Sequence, residues 1–386
     1  MKESEWLSAG EARDRLGVRA QTLYAYVSRG QVRAEADPTD PRRSRYRTSD
    51  IASLATRKAR GRKASQVAAN AIAWGEPVLG SAITAVVDGR LYYRGRDAVL
   101  LARTETFEGV ARLLRGGGGA PRPRVLREAP PAGATMRARI FAALAARAAA
   151  DEAALGLTQD ELDAESASLL DVVADAVCGE IGQGAIHQRL GRAWGCGRGG
   201  MDLIRRALVL LADHELNPST FAARVAASTG ASLSAAALAG LATLTGPRHG
   251  GVASRVSRLA AEAERDGPRE AVATRLAHWG PPPGFGHPLY PQGDPRARAL
   301  LDVFEAPPPM RALSKAVEAA TGERDNVDFA LVALARTLGL PADAPFILFA
   351  TARCAGWLAH AQEQAASGAA IRPRARYLGP PPEPES

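Results

Sequence analysis

A chain of 386 residues with 46% hydrophobic and 23% charged side chains can hold two or three domains, with the balance of a soluble globular protein rather than a fibrous or disordered one. Its three dispersed cysteines, Cys178, Cys196 and Cys354, suggest neither a disulfide framework nor a paired-thiol zinc site; with no leader-like start and no bilayer-length apolar run, a cytoplasmic protein is expected. Only 5% of residues are aromatic and alanine is abundant, which favours closely packed helices, while residues 1–63 hold 15 Lys and Arg against 8 Asp and Glu, or +7 of the formal +8.

Ser8, followed three residues later by Glu11, has the pattern of a capping box, so a short helix should run from Ala9 to Leu16. Gly17-Val18-Arg19 reads as a turn and Ala20 to Ser28 as a second helix, stopped by Arg29-Gly30. A basic stretch from Asp37 to Arg47 follows, and Thr48-Ser49-Asp50 caps a third helix through Leu54. Two helices across a short glycine turn form the arrangement that lays a second helix in a major groove. Leu7-Ser8, Ala12, Leu16-Gly17-Val18, Thr22-Leu23-Tyr24, Gly30, the arginine-rich stretch and Asp50-Ile51 resemble the winged helix-turn-helix of MerR-like and excisionase-like domains. In that reading residues 1–58 bind DNA, with Arg19, Gln21, Thr22 and Tyr26 on the recognition helix and Arg42, Arg43 and Arg45 on phosphates. A module that only contacts protein is the alternative.

Residues 59–70 are expected to be a basic linker. Thr84 to Val87 and Arg90 to Tyr93 alternate around Asp88-Gly89, a strong hairpin signal. Gly116 to Gly119 and the prolines after it predict a surface loop, and helices are expected over 136–150, 166–180, 201–214, 218–229 and 233–245. Gly195 to Gly200 matches Gly-x-Gly-x-x-Gly but follows a helical pattern in no βαβ unit, so no dinucleotide is expected there.

The chemistry-bearing residues fall between His214 and Arg372. His249 lies in Gly246-Pro247-Arg248-His249-Gly250-Gly251, His287 ends Pro283-Gly284-Phe285-Gly286-His287, and Asp328 follows Asn326-Val327 at a helix start. Two histidines in turns with one carboxylate suit removal of a proton from carbon while a carbonyl oxygen takes up charge. With Asp213 to Thr220, Asp294-Pro295-Arg296, Arg353 to His360, Arg372-Pro373 and the Leu91 to Gly95 segment, these motifs resemble citrate synthase over residues 65 to 380. The resemblance implies a mainly α citrate synthase fold: a large domain from 71–245 and 341–386, and a small domain at 246–340. It also implies an acyltransferase that joins acetyl-CoA to oxaloacetate without metal or cofactor. Asp328 would be the base, His249 the donor to the thioester oxygen and His287 the acid at the ketone. His214, Arg296, Arg353 and a partner subunit's copy of Arg372 would hold oxaloacetate, making a homodimer, and Gly284, Phe285, Gly286, Asn326 and Phe349 would contact CoA. Residues 288–293 lack the basic residues many family members carry after this histidine, which puts a CoA phosphate contact in question. A 2-methylcitrate synthase acting on propionyl-CoA, and a DNA-binding regulator that senses a metabolite through the synthase fold, are the alternatives.

Overall fold

The structure, a computed structural model, describes residues 5–18, 20–41, 43–55, 79–117, 135–375 and 377–381; the expected linker, Arg19, Arg42 and most of the glycine- and proline-rich loop lie outside them. Two units are distinguished, Met1–Gly80 and Ser81–Ser386.

In the first unit, β1 (Trp6–Ser8) leads into α1 (Ala9–Leu16) and α2 (Ala20–Ser28), then β2 (Ala34–Ala36), β3 (Ser44–Arg47) and α3 (48–55). The capping box forms: Ser8 Oγ accepts from Glu11 N, and Glu11 reaches back to Ser8 N at 2.8 Å. Gly17 closes α1 in the left-handed conformation, φ 59°. The antiparallel sheet has the order β1-β3-β2, and its register sets Leu7 against Tyr46. Leu7, Ala12, Leu16, Leu23, Val32, Tyr46 and Ile51 fill the small core.

The second unit opens on the hairpin β4 (Thr84–Val87) and β5 (Arg90–Tyr93), followed by β6 (Arg96–Asp97). Asp88 and Gly89 both take positive φ, 50° and 71°, as a two-residue hairpin turn requires. The helices are α4 (Ala98–Thr104), α5 (Phe107–Leu114), α6 (Met136–Ala150), α7 (Gln159–Cys178), α8 (Ile186–Ala193), α9 (Arg198–Leu211), α10 (Pro218–Ala227) and α11 (Leu233–Leu244). They continue with α12 (Val252–Asp266), α13 (Pro268–Trp279), α14 (Pro295–Leu301), α15 (Pro308–Thr321), α16 (Val327–Thr337) and α17 (Ala344–Ser367). α7 starts earlier than expected because Thr158 caps it and Glu161 completes a capping box; α9 starts inside the glycine-rich stretch, at Arg198 with Gly197 as its N-cap.

Two apolar cores organise this unit. The larger gathers the hairpin with α4 to α11 around α17, which is buried along nearly its whole length. A smaller core, with Val256, Leu259, Val272, Met310, Leu313, Val317 and Phe329, joins α12, α13, α15 and α16. Small residues let the helices close up: a Cβ on Gly356 of α17 would stand 2.2 Å from Asp213 Oδ1, so only glycine allows the end of α9 to lie against this helix. The Tyr93 hydroxyl sits 3.1 Å from the carbonyls of Val209 and Leu210 and 3.2 Å from that of Asp213, fixing the hairpin to the end of α9 where His214 emerges.

Candidate active site

The expected residues of the second unit converge where the two cores meet. His214 follows α9, His249 precedes α12, His287 lies between α13 and α14, Arg296 starts α14, Asp328 starts α16, and Phe349 and Arg353 face inward from α17. The His214 and His287 rings are 5.2 Å apart, centroid to centroid, and His249 lies edge-on to Phe349 at 6.0 Å. The Arg353 guanidinium stands 4.7 Å over the Phe349 ring.

Most of these polar groups are held by a hydrogen-bond partner. His214 Nε2 is 2.8 Å from the Tyr290 hydroxyl, and that ring also packs on His287 at 4.9 Å and lies under Arg296 at 5.4 Å. His287 Nδ1 accepts from Leu289 N at 3.2 Å, so a neutral His287 keeps its proton on Nε2. His249 Nε2 is 2.8 Å from Ser219 Oγ, which also accepts from Trp357 Nε1 at 3.1 Å and lies 2.7 Å from Asn217 Oδ1. Asp294 grips Arg296 with both oxygens, at 2.9 Å to Nε and 2.8 Å to Nη2, and accepts Val327 N at 3.0 Å. Arg353 Nε donates to Leu211 O at 2.9 Å, whereas its Nη2 is buried with no hydrogen-bond partner among the described residues.

Burial then sets the charges. It lowers His249 to about 4, with Arg353 adding to the effect, and His287 to about 4, with Arg296 adding. Burial and the same two arginines put His214 well below the ordinary range, so all three imidazoles are neutral near pH 7. Burial works against the charge on Arg296, but Asp294 keeps it firmly protonated; burial lowers Arg353 to about 10, opposed by Asp213. Asp328 moves the other way: burial pushes its carboxyl up to about 7 despite Arg296 and Arg353. Its backbone N–H donates to the capping Asn326 side chain at 3.0 Å, and no hydrogen bond to its carboxylate oxygens forms among the described residues.

The remaining candidates divide. Gly284 and Gly286 take φ of 89° and 67°, and Asn326 ties the loop down by donating to Gly286 O at 3.0 Å. Phe285 turns into the smaller core, 5.1 Å from Phe329, leaving its backbone on the cleft side as a bridge partner of Asp325. Arg372 is exposed beyond α17, and no contact joins it to His214, Arg296 or Arg353 of its own chain. A cleft of about 1190 Å³ runs from the hairpin tip to α14 and reaches the site at Gly286 and Tyr290, with both arginines and acids along its walls. Tyr290, Ser219 and Asp294 emerge as supporting residues that the motifs do not single out.

In the first unit, Gln21 and Thr22 are exposed, whereas Tyr26 packs on the small core, and the exposed tyrosine of α2 is Tyr24 at 60%. Arg45 donates to Glu35 at 2.8 Å, and Arg43 is 3.3 Å from Asp40.

A family model described as the C-terminal domain of citrate synthase matches residues 124–374. This chain belongs to the citrate synthase family. Citrate synthase 2 of Bacillus subtilis is 36% identical over 191 residues, 47% of this chain and 51% of that protein. A citrate synthase of Haloferax volcanii is 39% identical over 185 residues (45% and 49%), and a 2-methylcitrate synthase 2 of Corynebacterium glutamicum 34% identical over 187 (45% and 48%). The chain thus spans about half the length of the curated relatives it matches. Across the fold the likeness is wider: a crystal structure of citrate synthase from Thermotoga maritima superposes with TM-score 0.64 at 27% identity, over 79% of this chain and 94% of that one.

Among the described residues no helix is long and apolar enough to cross a membrane, and no group of three or more His, Cys, Asp and Glu is placed to hold a metal ion.

Proposed function

We propose that this member of the citrate synthase family condenses acetyl-CoA with oxaloacetate and water, giving citrate and CoA. The observation that carries the reading is Asp328, a carboxyl raised to about 7, with no hydrogen bond to its oxygens among the described residues, beside neutral histidines and two arginines. A thioester methyl is a very weak acid, so its proton leaves only if the base is desolvated and the developing oxyanion meets a placed donor. Asp328 takes the proton. His249 meets the thioester oxygen through its Nδ1–H as the enol forms, in the tautomer for which the one Ser219 hydroxyl proton turns from Asn217 Oδ1 to His249 Nε2. The enol carbon bonds to the ketone carbon of oxaloacetate, His287 Nε2 gives its proton to the ketone oxygen, and water then cleaves the thioester and releases the CoA thiol. Arg353, His214 and the single uncommitted Nη1 of Arg296 hold the dicarboxylate, with Arg372 supplied by a second subunit of a homodimer.

Release of CoA thiol by purified protein, with oxaloacetate and either acetyl-CoA or propionyl-CoA, tests this. Turnover with acetyl-CoA that vanishes in Asp328→Asn is expected; stronger turnover with propionyl-CoA points to the 2-methylcitrate reaction, since one methylene in an apolar pocket discriminates by only ~1–3 kcal/mol. Absence of turnover with both donors overturns the condensation reading.

For the first unit we propose a winged helix-turn-helix that meets duplex DNA through α2. Support comes from the α1–Gly17–α2 arrangement over a three-stranded sheet and from the outward Gln21, Thr22 and Tyr24. With Arg45 paired to Glu35 and Arg43 near Asp40, the phosphate grip is weak, and duplex binding that does not fall with rising salt counts against the assignment.

A further inference from the structure

The loop after His287 carries no cation from Pro288 to Gly293, so the phosphates of an acyl-CoA find none on that loop. A cluster of positive charge lies on the two helices that these loops adjoin. α12 starts three residues past His249 and α13 ends five residues before Gly284, and only Gly267 separates the two helices. The start of α12 therefore lies beside the end of α13. At that end stand Arg255 and Arg258 of α12 with Arg275 of α13. The loop leans on this place: a Cβ on Gly284 would come within 2.7 Å of Val256, the neighbour of Arg255.

The cluster is poorly neutralised. Glu262 is the acid beside it, 3.9 Å from Arg258, and no ion pair to Arg255 or Arg275 forms among the described residues. Arg275 Nη2 donates to Trp279 O at a long 3.4 Å, and its Nε is buried with no hydrogen-bond partner among the described residues. Burial first, and then Arg255 and Arg258, lower the Arg275 guanidinium below its ordinary range, with Glu262 opposing them only in part. One turn beyond Arg275 the indole of Trp279 is 71% exposed. An open aromatic face beside guanidinium groups of which Arg255 and Arg275 form no ion pair among the described residues is the arrangement that takes a purine by stacking and its phosphates by forked hydrogen bonds.

We propose that Arg255, Arg258 and Arg275 hold the phosphates of the acyl-CoA nucleotide while its adenine stacks on Trp279, leaving the pantetheine arm to run along Gly284 and Gly286 to the reacting carbon. This rests on the condensation reading and adds to it a nucleotide subsite built on two helices instead of the loop after His287. Arg255 and Arg258 stand about 4.5 and 9 Å along α12 from Val252 at 1.5 Å per residue, and Arg275 faces them from α13.

The test compares two acyl donors, acetyl-CoA and S-acetylpantetheine, the second lacking the nucleotide. With the charge-reversed pair Arg258→Glu and Arg275→Glu, KM for acetyl-CoA should rise about tenfold or more, while kcat, the oxaloacetate KM and all constants for S-acetylpantetheine stay as in the parent. An unchanged acetyl-CoA KM, or an equal rise for both donors, overturns the proposal. If the reversed pair melts early, Trp279→Ala takes its place, with about a tenfold loss for acetyl-CoA alone expected. If the parent turns over neither donor, the condensation reading falls by itself. The subsite is then decided by calorimetric titration with CoA and with adenosine 3′,5′-bisphosphate: binding lost on Arg258→Glu, Arg275→Glu sustains it, and absent or unaltered binding overturns it.

Discussion

Replacing Asp328 by asparagine should remove activity and stabilise the protein, and the second effect should grow with pH. The carboxyl titrates near 7 in the folded chain against an ordinary 3.8, because burial disfavours its charged form. A folded-state value raised in this way means the native protein holds its proton longer than the unfolded one. Stability from this group is therefore complete below about 3.8 and is lost as pH rises towards 7. At ~1.4 kcal/mol per pH unit the loss comes to about 1.7 kcal/mol at pH 5 and about 4 kcal/mol at pH 8, with some relief from the water that reaches the carboxylate. Asparagine is nearly isosteric and does not ionise, so it escapes the penalty. Urea denaturation of parent and Asp328→Asn at pH 5 and pH 8 should show the variant ahead at both, by about 2 kcal/mol more at the higher pH. A gap that does not change between the two pH values would refute the claim that a desolvated carboxylate is stored here. The accompanying fall in kcat, ~100-fold or more for loss of a positioned base, is read from CoA release.

Other consequences follow from the same geometry. For the parent, kcat/KM for acetyl-CoA should climb about tenfold per pH unit below 7 and level off above it, as Asp328 gives up its proton; a profile flat from pH 5 to 8 would exclude it as the base. Ser219→Ala leaves Trp357 Nε1 buried without an acceptor and frees His249 from its partner. A stability loss of ~1–3 kcal/mol and a fall in kcat with little change in oxaloacetate KM are expected, measured by urea titration and steady-state kinetics. Tyr290→Phe removes the hydroxyl at His214 Nε2 and should raise oxaloacetate KM about tenfold. Gly356→Ala forces a methyl onto Asp213 and should lower the melting temperature by several degrees, costing ~1–3 kcal/mol.

Much of the fold could be read from local signals. The Asp88-Gly89 hairpin, the Ser8–Glu11 capping box and the helix over 136–150 formed at the expected residues because turn geometry, capping and helix propensity are encoded within a few positions. The turns bearing His249 and His287 and the cap before Asp328 were likewise visible as short motifs. What escaped depends on residues distant in sequence. The three-residue strand β1 exists because β3, some forty residues on, pairs with it. Tyr290 contacts His214 across 76 residues and Ser219 meets Trp357 across 138, and no spacing rule announces such partners. The placing of Tyr26 is a matter of phase: Leu23 points inward, so the position three residues on packs with it and Tyr24 turns to solvent.

Asp294 makes four hydrogen bonds with one carboxylate: two to the Arg296 side chain, one to Arg296 N and one to Val327 N beside Asp328. It acts as a rivet through two helix starts. In the proposed reaction, Arg296 as the cation on one reactant and Asp328 as the base on the other would thereby be mounted on a single fixed plate, and any rearrangement around the cleft would carry them together. Their spacing is then a constant of the scaffold, and in the proposed reaction a change in the length of the oxo-acid would have to be met by Arg353 on α17 or His214 after α9.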